Sequence, residues 1–200
     1  MKRSLVFLAV FLAVPLLAQE KVKEPSTEIE FPAVAKFTSE GKEYQASLTG
    51  VAVRKKIIIK VYGMAHYMQD AGKMGEDEAY AAVLTDGKAK QISLQFVRDV
   101  DAASIQSAYR DGFKNSTPAA DLPKIQGSID KLLAYFTTPV KEGDAFTYRW
   151  LPGGTIVAIV QGQEKPAITD PVFAKSFWAI WFGEDSIVDR EDLVARMLAK

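Results

Sequence analysis

The 200-residue chain has no cysteine and one histidine, His66. Without thiols it can form no disulfide, no thiolate metal site and no cysteine nucleophile, so its stability has to come from a buried core. A lone histidine outside any His-Glu-x-x-His spacing leaves no expected metal, and nothing else calls for a cofactor. An excess of one charge is missing too, because 25 basic residues balance 25 acidic ones. That removes the basic patch on which nucleic-acid affinity rests, and bulk charge gives no support for a membrane-surface role. There is no Gly-x-Ser-x-Gly elbow and no phosphate-cradling glycine loop. Pro152-Gly153-Gly154 stands between strand-like segments rather than before a helix.

Long hydrophobic runs are scarce. The one that stands out, Leu5 to Ala18, follows Lys2 and Arg3 and falls short of the roughly 20 residues a spanning helix needs. Residues 1–18 are therefore expected to be a cleavable secretory signal, which places the mature protein in the periplasm or outside the cell. No stable membrane anchor is expected after cleavage. Loss of Lys2 and Arg3 leaves 23 basic against 25 acidic residues, a net charge of −2. The remaining length, about 180 residues, suits one domain with one core. A charged, proline-punctuated arm over 19–42 leads into the first strand and is expected to stay out of the core. The domain is expected over 43–200.

What is present alternates between strand and helix patterns. "EYQASLTGVAV" and "KIIIKVYGMAHYM" are rich in β-branched and aromatic residues and read as a hairpin joined near Arg54-Lys55-Lys56. Along the second strand Ile58, Lys60, Tyr62, Met64, His66 and Met68 share one face. Ile57, Ile59, Val61, Gly63, Ala65 and Tyr67 share the other, which is the expected packing face. "EDEAYAAVLTDGK" reads as a short helix, and Ile92, Leu94 and Phe96 mark a half-buried strand. Two amphipathic helices follow, with Asp101 and Asp121 as expected N-caps and Tyr109 on the apolar stripe of the first. A hairpin turns at Pro152-Gly153-Gly154. Asp170-Pro171 opens a helix that is apolar nearly all round and closes at Gly183, and "DREDLVARMLAK" is expected to form an amphipathic C-terminal helix. Arg98-Asp99 reads as a surface ion pair. The order implies an α+β fold, a largely antiparallel sheet with helices layered on one face.

"LTGVAVRKKIIIKVYGMAHYM", "FVRDVDAASIQSAYRDGF" and "FAKSFWAIWFGEDSIVDREDLVARML" together resemble the chalcone isomerase-like family, in particular its bacterial exported branch. The resemblance implies that family's open-faced sandwich. The family includes plant enzymes that close a chalcone into a flavanone, and relatives without that activity that bind fatty acids in the equivalent cleft. Arg54 matches the enzymes' oxyanion-stabilising arginine. Tyr62 stands in place of their threonine, Ile105 near their catalytic tyrosine and Gly112 near their asparagine, so the polar groups that organise water and phenolate are missing. The pair Arg54 and Tyr62 instead resembles the carboxylate-receiving pair of the fatty-acid-binding relatives.

Read without the resemblance, Tyr62 suits a core tyrosine and Arg54 a solvated hairpin residue. Read with it, the expectation is an exported, non-catalytic protein binding a fatty acid or similar apolar carboxylate. The ligand-binding candidates are Arg54, Tyr62, His66 and Tyr109. Two alternatives stand beside this: an intramolecular lyase or isomerase of chalcone isomerase type with Arg54 as oxyanion donor, and a periplasmic interaction module.

Overall fold

In the computed structural model, which describes residues 20–199, the chain enters as a two-stranded ribbon, β1 (Lys21–Lys23) and β2 (Glu30–Pro32). The expected signal segment lies outside the described residues. The turn of the ribbon is held by Glu24, whose buried carboxylate accepts from the backbone N–H groups of Ser26 and Thr27 and from the Thr27 hydroxyl. From there β3 (Val34–Ser39) pairs with β4 (Lys42–Lys56), β4 with β5 (Ile59–Met68), and β5 with β6 (Lys90–Phe96). Helix α1 (Glu76–Val83) joins β5 to β6, while α2 (Ala102–Ser116) and α3 (Leu122–Leu133) lead to β7 (Ala145–Leu151). The sheet continues through β8 (Thr155–Val160) to the short β9 (Gln163–Glu164) and β10 (Ile168–Thr169). Helix α4 (Pro171–Phe182) and the short α5 (Arg190–Val194) complete it. Every pairing in the main sheet is antiparallel, and from β3 to β9 each strand pairs with the next in sequence; β10 alone skips a strand, lying on β8 beyond the β8–β9 hairpin.

One face of this sheet carries the helices. Tyr62, Met64 and Met68 of β5, Ile92, Leu94 and Phe96 of β6, and Phe146, Tyr148 and Trp150 of β7 pack there against α2, α3 and α4 in one large core. Helix α4 lies at its centre, with Phe173, Phe177, Trp178, Ile180, Trp181 and Phe182 all buried, as its all-round apolar sequence requires. Its start is fixed by Asp170, which accepts from Phe173 N–H at 3.0 Å. Asp101 caps α2 in the same way, through Ser104 N–H at 2.8 Å.

Several expectations change. The arm is part of the fold: Phe31, Ala35, Ala46, Leu48, Ala65 and Tyr67 form a second, smaller core on the opposite face, with Val22 and Ile29 packed against it. Gly63 is where the arm approaches β5, since a Cβ there would meet Thr27 and Ile29 side-chain atoms at 2.6 and 3.0 Å. The principal packing face of β5 is therefore the Tyr62–Met64–His66–Met68 face, not the alternate one. The hairpin also turns later than expected, at Ile57 and Ile58, so Lys55 and Lys56 lie in β4. Asp121 precedes α3 without a side-chain cap and bonds Lys124 instead. Asp99 pairs with Lys141 at 2.7 Å rather than with Arg98. The C-terminal helix stops at Val194, after which Leu198 bridges in parallel to Met74.

Candidate functional site

A cleft of about 520 Å³ opens between α2 and the β4–β5 hairpin, within the size range of small-molecule pockets. Its walls combine Val61, Tyr62 and Phe96 from the sheet, Ile105, Ala108, Tyr109 and Gly112 from α2, and Ile180 and Trp181 from α4. Small residues on α2 make the space. At Gly112 an added Cβ would meet Ile180 at 3.1 Å, so the glycine sets how closely the two helices approach.

Arg54 and Tyr62 meet in this cleft because the hairpin register pairs them directly across β4 and β5, which puts both side chains on the helix-bearing face. The Arg54 guanidinium donates from Nη1 to the Ile187 carbonyl at 2.5 Å, tying the segment after α4 to the sheet. Among the described residues no carboxylate forms an ion pair with it, and its other N–H groups have no protein acceptor. The Tyr62 hydroxyl accepts from Trp181 Nε1–H at 3.0 Å, which leaves its own proton available to a ligand. Burial pushes the Tyr62 phenol up to about 12, against the opposing pull of the Trp181 hydrogen bond and the Arg54 charge. Around neutral pH it is therefore a neutral donor beside a cation.

Tyr109 also lines the cleft, but its hydroxyl is engaged with that of Tyr148 at 2.5 Å and its ring stacks on Phe136 at 5.0 Å. Burial, the largest cause, together with the neighbouring tyrosines holds its phenol well above the ordinary range. It contributes a wall rather than a free donor.

His66 is placed elsewhere. It is fully buried outside the cleft lining, and both ring nitrogens are occupied. Trp178 Nε1 can only donate, so its 3.1 Å contact makes His66 Nε2 an acceptor and puts the ring proton on Nδ1. Nδ1–H then reaches Thr49 Oγ1 at 2.7 Å, and the Thr49 hydroxyl donates onward to the Leu193 carbonyl at 2.7 Å. Burial, and secondarily the Lys90 charge, hold the imidazole well below its usual range, so it is neutral. This chain locks α4 and α5 onto β4 and β5. Beside it α5 lies directly on Gly50, where a Cβ would fall 2.0 Å from the Asp192 carbonyl oxygen. The expectation of a ligand contact at His66 is corrected on that ground.

Sequence reasoning passed over Trp181 and Ile187 as partners of Tyr62 and Arg54. Trp181 carried a signal, as an indole on an apolar helix whose N–H needed an acceptor. Ile187 carried none, because only its backbone takes part.

The chalcone isomerase-like family model matches residues 27–199. The chain belongs to the chalcone isomerase-like family. A crystal structure of an Arabidopsis thaliana fatty-acid binding protein superposes with a TM-score of 0.71 at 18% identity, covering 88% of this chain and 96% of that one. At that identity the likeness establishes the fold, an open-faced sandwich of antiparallel sheet and helices. No curated protein matches the sequence. The family's match begins at residue 27, inside the ribbon turn, so the stretch expected as a loose arm is largely family sequence.

Proposed function

We propose that this family member is an exported protein that binds a fatty acid or similar apolar carboxylate, with the acid group held by Arg54 and Tyr62. One observation carries the reading: a guanidinium with no ion-paired carboxylate among the described residues and a neutral phenol with an unused proton are paired across one hairpin, at a cleft whose buried wall is apolar while Arg98, Asp99, Asp101 and Asp111 add charged groups to its lining. A guanidinium fork suits a carboxylate, and a phenol adds one further hydrogen bond. The walls of Ile105, Phe96, Ile180 and Trp181 suit an alkyl chain. The printed name of the Arabidopsis neighbour, a fatty-acid binding protein, supports the same ligand class.

For the lyase reading, Ile105 and Gly112 line the cleft where the enzymes' polar groups are expected, and neither side chain can hold water or polarise a ketone. Native mass spectrometry of the protein purified from its host tests the proposal. A bound acid that Arg54→Ala loses is the expected result. A pocket that stays empty and ignores added fatty acids would overturn it.

A further inference from the structure

The tip of the β4–β5 hairpin combines features that a solvated turn has no reason to keep. Ile57 and Ile58 are 91% and 86% exposed and Ile59 is 50% exposed; with Val172 they are the large hydrophobic side chains most open to solvent among the described residues. Ile57 also adopts φ +60°, the left-handed region that a β-branched residue disfavours and that asparagine or glycine enters readily. Just behind it Lys55 and Lys60 stand directly opposite each other in the ladder, a like-charge pairing that opposes strand association. Arg54 and Lys56 complete a basic collar, and no carboxylate forms an ion pair with any of the four among the described residues. Lys60 donates to the Ser26 carbonyl at 2.5 Å and so has a use in the fold, but the exposed isoleucines, the left-handed Ile57 and the free Lys55 and Lys56 do not.

We infer that this tip docks the protein on an anionic lipid surface, with Ile57, Ile58 and Ile59 entering the acyl boundary and Lys55 and Lys56 meeting the headgroups. Apolar wedges ringed by lysines match such an interface in both chemistry and order, because the long lysine stems let charge stay at the headgroup level while the apolar groups go deeper. The unpaired lysines beside the isoleucines suit an anionic membrane better than an apolar protein groove. Lys56 and Ile59 belong both to the tip and to the cleft lining, so docking would set the cleft mouth against the bilayer. The inference does not depend on what the cleft binds.

Flotation of the purified chain, without added fatty acid, with phosphatidylglycerol-containing vesicles and with pure phosphatidylcholine vesicles tests it. The wild type is expected to float with the anionic vesicles. The Ile57→Ser/Ile58→Ser double variant is expected to lose about tenfold or more of that partitioning. Lys55→Ala/Lys56→Ala should lose roughly fivefold per charge. Both sites are exposed, so the variants should remain folded; Ile57→Asn, which suits the observed φ, should unfold later than wild type while still binding vesicles less well. Insertion can be read separately with Ile58→Trp, since Trp150, Trp178 and Trp181 are buried and shielded from lipid-borne quenchers. A blue shift and quenching are expected with anionic vesicles only. A wild type that stays in buffer with both vesicles, or a double-serine variant that floats equally well, would overturn the inference. Self-association abolished by the same double variant, with no vesicle binding, would overturn it in favour of a second copy. Ile57 and Ile58 lie outside the cleft lining, so the results with their variants are independent of acid binding near Arg54, which mass spectrometry reads separately.

Discussion

Two polar side chains lie four positions apart on the same face of β5, beneath the same helix, and they are treated in opposite ways. Tyr62 accepts an indole N–H from Trp181, and His66 accepts one from Trp178. At His66 the network continues until nothing is left over: Nδ1–H to Thr49, Thr49 to the Leu193 carbonyl. At Tyr62 it stops short, with a phenolic proton unclaimed and Arg54 beside it open to the cleft. A closed network fixes packing, whereas an open one at a cavity wall is available to a ligand. The comparison separates structure from function on one strand without appeal to residue type, since histidine is the more familiar catalytic group of the two.

The sharpest break of the closed half is His66→Ala, which removes a buried ring, leaves the Trp178 N–H without its acceptor and takes from Thr49 the ring N–H it accepts, while the Thr49 bond to the Leu193 carbonyl stays. A loss of about 3–5 kcal/mol is expected in urea unfolding, with the Arg54 end of the cleft little changed. Acid should act through the same residue. Because the folded imidazole titrates below its unfolded value of 6.5, the unfolded chain takes up a proton that the folded one refuses. That contribution is fully present above pH 6.5 and is lost as pH falls toward the depressed folded value, at about 1.4 kcal/mol per pH unit. It can be assigned with one variant, because His66 is the chain's only histidine: His66→Gln should flatten the pH dependence just below 6.5. The open half should respond more mildly. Tyr62→Phe keeps the ring and its edge contact with Phe96 at 5.5 Å, and leaves Trp181 N–H without its acceptor. About 1 kcal/mol of stability and roughly fivefold in acid affinity are expected to go, as calorimetric titration and thermal unfolding would read.

Elements whose signal is local were legible in the sequence. The alternation of Ile92, Leu94 and Phe96, the capping aspartates of α2 and α4, and the Pro152-Gly153-Gly154 turn each depend on neighbours within a few residues. The β4–β5 turn was misread because three isoleucines in a row satisfy every rule for a strand, and nothing local marks Ile57 as left-handed. The second core was missed since its parts, Phe31 and Tyr67, come from a charged arm and from a strand face that reads as the main packing face. Arg54 and Tyr62 were singled out through a family resemblance; that they face one cleft follows from the hairpin register, which no local signal gives. The role of His66 was hidden because its partners, Thr49 and Trp178, lie 17 and 112 residues away.

The proposed acid site is the open pair, Arg54 and Tyr62, and not the closed one. Titrating a long-chain fatty acid such as palmitate into wild type, Arg54→Ala and His66→Gln measures it directly. Binding weakened about ten- to a hundredfold by Arg54→Ala, with His66→Gln close to wild type despite lower stability, is the expected result. Wild-type affinity in Arg54→Ala would contradict it.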